Sequence, residues 1–240
     1  MRDNVASRQY GRQHPEATAS TRALLISSSI GSLIEWYDFF VFASAAALVF
    51  DRVFFPSVDP RSGVLLALMT YAVGFVTRPV GGVVFGVLGD RFGRKRVLVW
   101  SLMLMGIATM GIGLVPSFAT IGVLAPLLLV LLRLVQGFAV GGEVGGALLL
   151  VAESLPAQRR GFWTAWPMIG GPAGNVLSSI VLASLALWFG EAAFVAWGWR
   201  VAFLASGLLI GVGIWMRLRV AESPVYRAYL ERRARATTPT

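Results

Sequence analysis

Five ionisable side chains interrupt stretches of sequence that are otherwise almost entirely apolar: Glu35, Asp38, Arg78, Arg133 and Glu143. In the interior of a bilayer, each such charge costs about 2.5–3.5 kcal/mol on insertion scales. Buried charges of this kind therefore face one another or line a cavity. A carboxylate that loses both its cationic partner and its water binds a proton more readily, so buried carboxylates beside arginines are suited to reversible protonation.

The heights of these residues along their helices predict which of them meet. At a rise of about 1.5 Å per residue, Asp38 lies about 24 Å and Arg133 about 26 Å from the same membrane surface. We therefore predict an ion pair between Asp38 and Arg133, either a static structural pair or one that responds to protons. Glu35 shares a helix face with Asp38 and is predicted to meet Arg78 or a substrate. We assign Glu35, Asp38 and Arg133 to proton coupling.

Four polar side chains near these charges are candidate substrate ligands: Arg78, Tyr37, Gln136 and Asn175. A guanidinium in a dry cavity is suited to bidentate recognition of a carboxylate. The alternative for Arg78 is a structural role, held by backbone carbonyls, and the alternative for Tyr37 is packing in the core. Pro172 is predicted to kink the helix that contains Asn175, because proline lacks a backbone N–H.

A charged, glycine-rich loop separates two of the apolar stretches. Its sequence is Gly86-Val87-Leu88-Gly89-Asp90-Arg91-Phe92-Gly93-Arg94-Lys95-Arg96-Val97-Leu98. The glycines permit a sharp reversal and a close approach of helices. The loop is either a plain basic turn at the membrane surface or a latch in which Asp90 and Arg94 contact neighbouring helix ends. We predict a conformational latch formed by Gly86, Asp90, Arg91, Gly93, Arg94, Lys95, Glu143, Glu153 and Arg160.

The composition predicts a membrane protein. The 240-residue chain is 56% apolar and 14% charged, against about 25% charged residues in soluble domains. A spanning helix needs about 20 mostly apolar residues, and six segments qualify: 23–50, 63–89, 97–115, 120–151, 162–188 and 200–216. We therefore predict an all-α polytopic protein with a basic tail over 1–22, a six-helix bundle over 23–216 and a surface helix or linker over 217–240.

The charges of the loops predict the orientation, because cytoplasmic loops carry the excess of Lys and Arg. Most of the loop cations fall on one predicted side, in the segments 1–22, 90–96, 152–161 and 217–240. The other side holds Arg52, Arg61 and Arg200. We therefore predict a multi-pass protein of the inner (plasma) membrane with both termini in the cytoplasm.

The same placement explains the formal net charge of +9 without a nucleic-acid partner. The chain has no cysteine, which excludes thiolate metal sites. Its single histidine, His14, cannot form a metal site alone. The sequence shows no Ser-His-Asp set, phosphate loop or metal cluster, which argues against an enzyme. We predict no metal and no cofactor, with the proton as the coupling ion.

Glycine pairs four residues apart predict helices that approach closely in lipid. These pairs are Gly82/Gly86, Gly137/Gly141, Gly142/Gly146, Gly170/Gly174 and Gly207/Gly211. The order of the six segments also predicts two three-helix units of opposite orientation, as in transporters built from inverted repeats.

The charged loop matches the pattern G-x-L-x-D-R-x-G-R-K-x-x-L at every fixed position and resembles the loop between helices 2 and 3 of the major facilitator superfamily. Further stretches resemble its metabolite:proton symporter family: Gly31-x-x-x-Glu35-Trp36-Tyr37-Asp38-Phe39-Phe40, Arg133-Leu134-Val135-Gln136-Gly137, Glu153-x-x-Pro156-x-x-x-Arg160-Gly161, Trp197-Gly198-Trp199-Arg200 and Glu222-Ser223-Pro224-x-Tyr226. The resemblance covers nearly the whole chain. It implies proton-driven transport of organic acids such as α-ketoglutarate, citrate and shikimate, or of osmolytes such as proline and betaine.

The family has twelve spans in two six-helix halves, with the site between them. The resemblance therefore implies that this sequence holds only the N-terminal half. Its expected partners are the lipid bilayer, a small-molecule substrate, and a missing C-terminal six-helix half or a second copy. The expected function is proton-coupled symport of a small carboxylate or zwitterionic osmolyte. One alternative is a drug:proton antiporter, since the Gly-Pro of the fifth segment resembles part of the antiporter signature. The other alternative is an inactive truncated remnant.

Overall fold

The structure is a computed structural model that describes residues 15–154, 160–219 and 226. Its regular elements are helical, and no strand occurs among the described residues, which confirms the predicted all-α fold. The helices are α1 Pro15–Leu48, α2 Phe50–Phe54, α3 Pro60–Val73, α4 Arg78–Phe92, α5 Arg94–Leu114, α6 Phe118–Ile121, α7 Leu124–Ser154, α8 Arg160–Thr164, α9 Gly170–Ala193 and α10 Trp199–Arg219. A 3-10 turn (Trp166–Ile169) precedes α9, and a π-helical turn (Phe194–Gly198) precedes α10.

The first helix begins earlier than the span predicted at 23–50, although its part suited to cross a membrane is Ala23–Leu48. Helix α1 begins at Pro15, within the segment predicted as a polar tail, and residues 1–14 lie outside the described part. After α2 the chain turns towards α3, which Asp59 caps by accepting a hydrogen bond from the Ser62 amide at 3.0 Å. Hydrogen bonds from Ser62, first from its side-chain hydroxyl and then from its backbone amide, hold the pKa of the Asp59 carboxyl below its ordinary value.

The predicted second span, 63–89, is not one continuous helix. It breaks between α3 and α4, over residues 74–77. Pro79 explains the break, because its ring has no N–H and excludes the carbonyl of Phe75, four residues earlier. The break is fastened to α7, since the Thr77 hydroxyl donates to the Leu134 carbonyl at 2.7 Å.

The last helical stretch contains the predicted fifth and sixth spans. Five helical stretches of the described chain are long and apolar enough to cross a membrane, and the last, Gly161–Arg219, has 59 residues. A straight helix of that length would measure about 88 Å, against a hydrocarbon thickness of about 30 Å. The stretch is interrupted at Gly190, whose φ of 73° is not helical, and both α9 and α10 pack on α1. We infer that the chain folds back at Gly190.

Two predictions about this stretch need correction or refinement. Pro172 lies in the first turn of α9, where a missing N–H is tolerated, so the predicted kink at Pro172 is wrong. The irregular backbone is instead a 3-10 turn over Trp166–Ile169, just before α9. The predicted sixth span ended at residue 216, but α10 runs to Arg219. Arg217, which the sequence placed in a cytoplasmic tail, is therefore a buried helical residue.

Glycines bring two pairs of helices into close contact. A side chain at Gly174 would lie 2.7 Å from the backbone nitrogen of Tyr37, so α9 approaches α1 at the backbone. Gly141 meets the backbone of Arg78 in the same way, which joins α7 to α4. By contrast, Gly86 and Gly211 have no neighbour within 4 Å of the position a side chain would take. The spacing of glycines therefore predicted some of the helix contacts but not all of them.

An aromatic cluster closes one end of the bundle. Phe42, Phe50, Phe54, Trp199 and Phe203 are fully buried there and join α1 and α2 to α10. Next to this cluster, Arg200 donates hydrogen bonds to the carbonyls of residues 113 and 115 at 2.8 and 2.6 Å, which satisfies the end of α5. The interior charges lie between this cluster and the opposite, charged end of the helices.

Candidate functional site

Asp38 lies at the centre of the bundle, with 1% of its surface exposed. Its two carboxylate oxygens accept hydrogen bonds from two hydroxyl groups on other helices. Thr109 of α5 donates to Oδ2 at 2.8 Å, and Ser206 of α10 donates to Oδ1 at 2.6 Å. Asp38 therefore ties α1 to both α5 and α10 without direct contact with a cation.

The predicted ion pair between Asp38 and Arg133 is wrong as a direct contact. Arg133 donates to the Gln136 side-chain oxygen at 2.5 Å, and the Gln136 amide donates to the Thr109 hydroxyl at 2.8 Å. That hydroxyl in turn donates to Asp38. Similar predicted heights therefore did not make Asp38 and Arg133 contact partners, because Gln136 and Thr109 lie between their side chains. The structure thus brings them into one hydrogen-bonded chain rather than into a pair.

Aromatic rings surround the guanidinium of Arg133. Its carbon lies 4.3 Å from the ring centre of Phe42, 4.8 Å from that of Tyr71 and 5.1 Å from that of Phe39. Arg133 also donates to the carbonyl of Tyr71 at 3.3 Å. Cation–π contacts stabilise a desolvated arginine, which accounts for a charge at this depth without an adjacent carboxylate.

Glu35 lies beside a small cavity between α1, α4 and α7. The cavity has a volume of about 10 Å³ and is lined by Glu35, Arg78, Arg133 and Gln136, among others. Glu35 is 3% exposed, and none of the described residues donates a hydrogen bond to its carboxylate. The Nε atom of Arg78 is also buried without a hydrogen-bond partner. A volume of this size is about that of one water molecule, so a single water can bridge these groups.

The four predicted substrate ligands do not all meet. Arg78 and Gln136 line the cavity beside Glu35. Tyr37 is fully buried on another side of α1, where its hydroxyl donates to the Ala202 carbonyl at 3.1 Å, as the packing alternative predicted. Asn175 lies on the exposed side of α9. In this conformation only Arg78 and Gln136 are placed to contact one small ligand, and a substrate role for either stays a prediction.

The charged loop forms contacts between helix ends. Arg94 approaches Asp90 at 2.8 Å and Glu153, at the end of α7, at 3.8 Å. Lys95 donates to the carbonyl of Leu218 at 2.6 Å, near the end of α10. Gly93 has a φ of 101°, which a residue with a side chain rarely adopts, and it allows α5 to begin directly after α4.

The remaining residues of the predicted latch are placed less directly. Tyr226, in the segment after α10, donates to the carbonyl of Arg91 at 3.0 Å. Gly86 faces open space. The side chain of Arg160 lies outside the described part of the chain. The structure therefore joins α4, α5, α7 and α10 at this end, and a latch function stays a prediction.

Glu143 belongs to a different group of contacts from the one predicted. It forms a buried ion pair with Arg217 of α10 and accepts a hydrogen bond from the Ser101 hydroxyl at 3.2 Å. Sequence reasoning missed Arg217 because it directly follows the apolar segment 200–216. It also missed Thr109, although a count from residue 96 places Thr109 about 20 Å deep, near the height of Asp38.

Comparison with known families agrees with the resemblance of the motifs. The family described as sugar (and other) transporter matches residues 24–239, so this chain belongs to that family of the major facilitator superfamily. It is 43% identical over 220 residues to the inner membrane metabolite transport protein YhjE of Escherichia coli K12. The aligned residues are 92% of this chain and 50% of that protein.

Two further relatives in the same organism have named substrates. The shikimate transporter is 46% identical over 202 residues, which are 84% of this chain and 46% of that protein. The proline/betaine transporter is 40% identical over 211 residues, which are 88% of this chain and 42% of that protein. The chain thus spans about half the length of the curated relatives it matches.

Solved structures show the same fold. The proton:xylose symporter XylE bound to 6-bromo-6-deoxy-D-glucose aligns with a TM-score of 0.75 at 20% identity, over 87% of this chain and 46% of that chain. The inward-open conformation of XylE from E. coli aligns with a TM-score of 0.71, over 86% of this chain and 49% of that one. At this identity the likeness concerns the fold alone.

Proposed function

We propose that this chain forms the N-terminal six-helix half of a proton-coupled symporter for a small carboxylate or a zwitterionic osmolyte. The hydrogen-bonded group around Asp38 is the observation on which the proposal rests. Asp38 is a fully buried carboxylate with two hydroxyl donors, and it reaches Arg133 only through Thr109 and Gln136. Such a carboxylate can be hydrogen-bonded in its ionised form or in its protonated form. Ionised, it holds Thr109 and Ser206 as donors. Protonated, it becomes a donor itself and releases at least one of them.

This change would couple protonation to the packing of helices. Thr109 lies on α5 and Ser206 on α10, so the hydrogen bonds of Asp38 fix the position of both helices relative to α1. Proton binding at Asp38 would weaken that connection and alter which conformation of the bundle is favoured. Substrate binding nearby would bias the same equilibrium, and this reciprocity is the requirement for symport.

The substrate class follows from Arg78 and from the relatives. The Arg78 guanidinium lies 4.5 and 4.8 Å from the ring centres of Phe75 and Phe39, and its Nε has no hydrogen-bond partner. A partly desolvated arginine with an unused donor favours a carboxylate ligand. Shikimate, proline and betaine, for which two relatives are named, all contain a carboxylate. We propose Arg78 as its anchor.

A second six-helix unit is needed to complete the site. The cavity beside Glu35 has room for about one water, whereas metabolite sites enclose about 300–1,000 Å³. The rest of the substrate would therefore lie outside this cavity, against a surface that a second unit supplies. That unit would be a C-terminal half or, failing that, a second copy of this chain.

The test is substrate uptake into proteoliposomes by the complete transporter, driven by an imposed proton gradient. Radiolabelled shikimate and radiolabelled proline would be tried in parallel. We expect Asp38→Asn to abolish gradient-driven accumulation and to leave exchange of labelled for unlabelled substrate intact, because asparagine keeps the shape of the residue but cannot carry the proton. Gradient-driven accumulation that survives this change would refute the assignment of Asp38.

The direction of transport needs its own control. An importer would allow a transport-deficient host to grow on its substrate as carbon source, whereas a drug:proton antiporter would raise resistance to drugs. Arg78→Gln should raise the KM for the carboxylate, while Ser184→Ala, on the exposed side of α9, should not.

A further inference from the structure

The buried ion pair of Glu143 and Arg217 has no role in the function proposed above. Glu143 is 2% and Arg217 is 5% exposed, so both charges are removed from water. The Ser101 hydroxyl contacts the second oxygen of Glu143, and Arg217 also donates to the Leu98 carbonyl at 3.2 Å. Buried pairs of this kind seldom add net stability relative to apolar side chains. A contribution to stability therefore does not by itself explain this pair.

The ion pair of Glu143 and Arg217 lies beside Gly31, which is one helical turn before Glu35 on the same face of α1. A side chain at Gly31 would lie 3.0 Å from a carboxylate oxygen of Glu143 and would collide with the Arg217 guanidinium. Residues four apart on a helix are neighbours, about 6 Å from each other. Gly31, Glu35 and Asp38 therefore lie along one face of α1. Along this face, the Glu143–Arg217 pair comes first, Glu35 next and Asp38 last.

Arg217 lies close to the helix face that contains Glu35. It is paired with Glu143, and its guanidinium borders Gly31, one helical turn before Glu35. The other charged groups that face Glu35 are Arg78 of α4, Arg133 of α7 and Asp38 of α1 itself. The Nε of Arg217 is buried without a hydrogen-bond partner, so this guanidinium has a donor to spare for a second acceptor.

We propose that Glu143 receives the transported proton from Glu35 and releases it towards the cytoplasm, with Arg217 changing its partner at each transfer. When Glu35 is protonated, Arg217 pairs with Glu143, as observed. The O–H bond of Glu35 then breaks, an O–H bond forms on Glu143, and Arg217 pairs with the Glu35 carboxylate. Both arrangements contain one acid, one carboxylate and one guanidinium, so the transfer leaves no uncompensated charge.

A second cavity continues this line towards the charged end of the helices. It has a volume of about 10 Å³ and borders Arg217, Ser27, Ser28 and Lys95. The cavity has room for about one water and borders two buried serine hydroxyls. Together they would relay a proton between the ion pair and the helix ends. Release of the proton from Glu143 would pass through this cavity.

The inference rests on the proposed symport, and its test uses the same complete transporter in proteoliposomes with radiolabelled shikimate and proline. Glu143→Gln alone would leave Arg217 buried without a partner, so the informative variant is the double change Glu143→Gln with Arg217→Gln. That pair stays hydrogen-bonded but cannot hold a proton. We expect gradient-driven uptake to fall about 100-fold, the scale of losing one proton-transfer group, while exchange of labelled for unlabelled substrate persists.

Three comparisons decide the outcome. Glu143→Asp, which keeps the carboxylate, should retain gradient-driven uptake, and Glu191→Gln, at an exposed site, should match the wild type. A double variant with normal gradient-driven uptake, or one that loses exchange as well, would show a purely structural pair and overturn the inference. A wild-type protein that exchanges substrate but ignores the proton gradient would instead refute the proposed symport, and this inference with it.

Discussion

At the scale of single residues, the interior of this bundle depends on hydroxyl groups as much as on charges. Asp38 has no cation in contact with it and relies on Thr109 and Ser206. Glu143 has both a cation and the Ser101 hydroxyl. A hydroxyl group can donate or accept a hydrogen bond. It can therefore stay hydrogen-bonded to a carboxyl group whether that group is ionised or protonated. An arginine in the same position could only donate.

The contribution of Ser206 can be measured directly. Ser206→Ala removes the donor to one oxygen of Asp38 and leaves a buried acceptor unsatisfied, which should lower the free energy of unfolding by about 1–3 kcal/mol. Thermal unfolding of the purified protein in detergent would show this as a lower midpoint. Ser184→Ala, on the exposed side of α9, is the matched control, and equal midpoints for the two variants would contradict the role given to Ser206.

At the scale of elements, the charged loop connects the ends of helices that are far apart in sequence. Asp90 is 73% exposed, and an exposed ion pair contributes little. The contact between Arg94 and Glu153 is better protected, because both side chains are mostly buried. The loop thus ties the end of α7 to the junction between α4 and α5, and through Lys95 it also reaches α10.

This arrangement predicts the effect of removing Arg94. Arg94→Ala should shift the complete transporter towards its inward-facing state, because the contacts that join the helix ends are lost. The natural chain has no cysteine, so single cysteines introduced along α7 would report accessibility from the cytoplasmic side. Arg96→Ala, an exposed change in the same loop, serves as control. An accessibility pattern identical to that of the wild type would exclude a latch at Arg94.

At the scale of the whole molecule, the distribution of charge sets the expected orientation. Most interior charges of the described residues have hydrogen bonds, an ion pair or aromatic rings as partners, while Glu35 borders a small cavity. By contrast, many large apolar side chains are exposed on the outside of the bundle. An apolar exterior around a polar interior is the arrangement that a bilayer favours. The excess of Lys and Arg at the end that contains Arg94 then predicts which end faces the cytoplasm.

Cysteine labelling in intact cells tests this orientation. A cysteine at Ser57, in the exposed loop between α2 and α3, should react with a membrane-impermeant maleimide. A cysteine at Arg96 should react only after the membrane is permeabilised. Labelling of Arg96→Cys in intact cells, with Ser57→Cys protected, would reverse the proposed topology and remove the basis for a cytoplasmic latch.

The sequence by itself determined the helical class, the approximate positions of the long apolar helices, the charged loop and the family. These features depend on local quantities: the length of an apolar run, the residues that interrupt it, and a short pattern such as Gly86 to Leu98. The sequence also identified Glu35, Asp38, Arg78, Arg133 and Glu143 as interior charges, because a charge within an apolar run stands out. It did not identify the buried Arg217, which follows its apolar run.

Only the tertiary structure decided how these charges are partnered. A helix turns by about 100° per residue, so two residues at the same height face each other only if both helices have the right rotation. Asp38 and Arg133 have similar predicted heights, yet Gln136 and Thr109 lie between them. Glu143 pairs with Arg217 because α10 continues beyond its apolar run to Arg219. Helix rotation and helix ends are set by packing between distant segments, which no local pattern records.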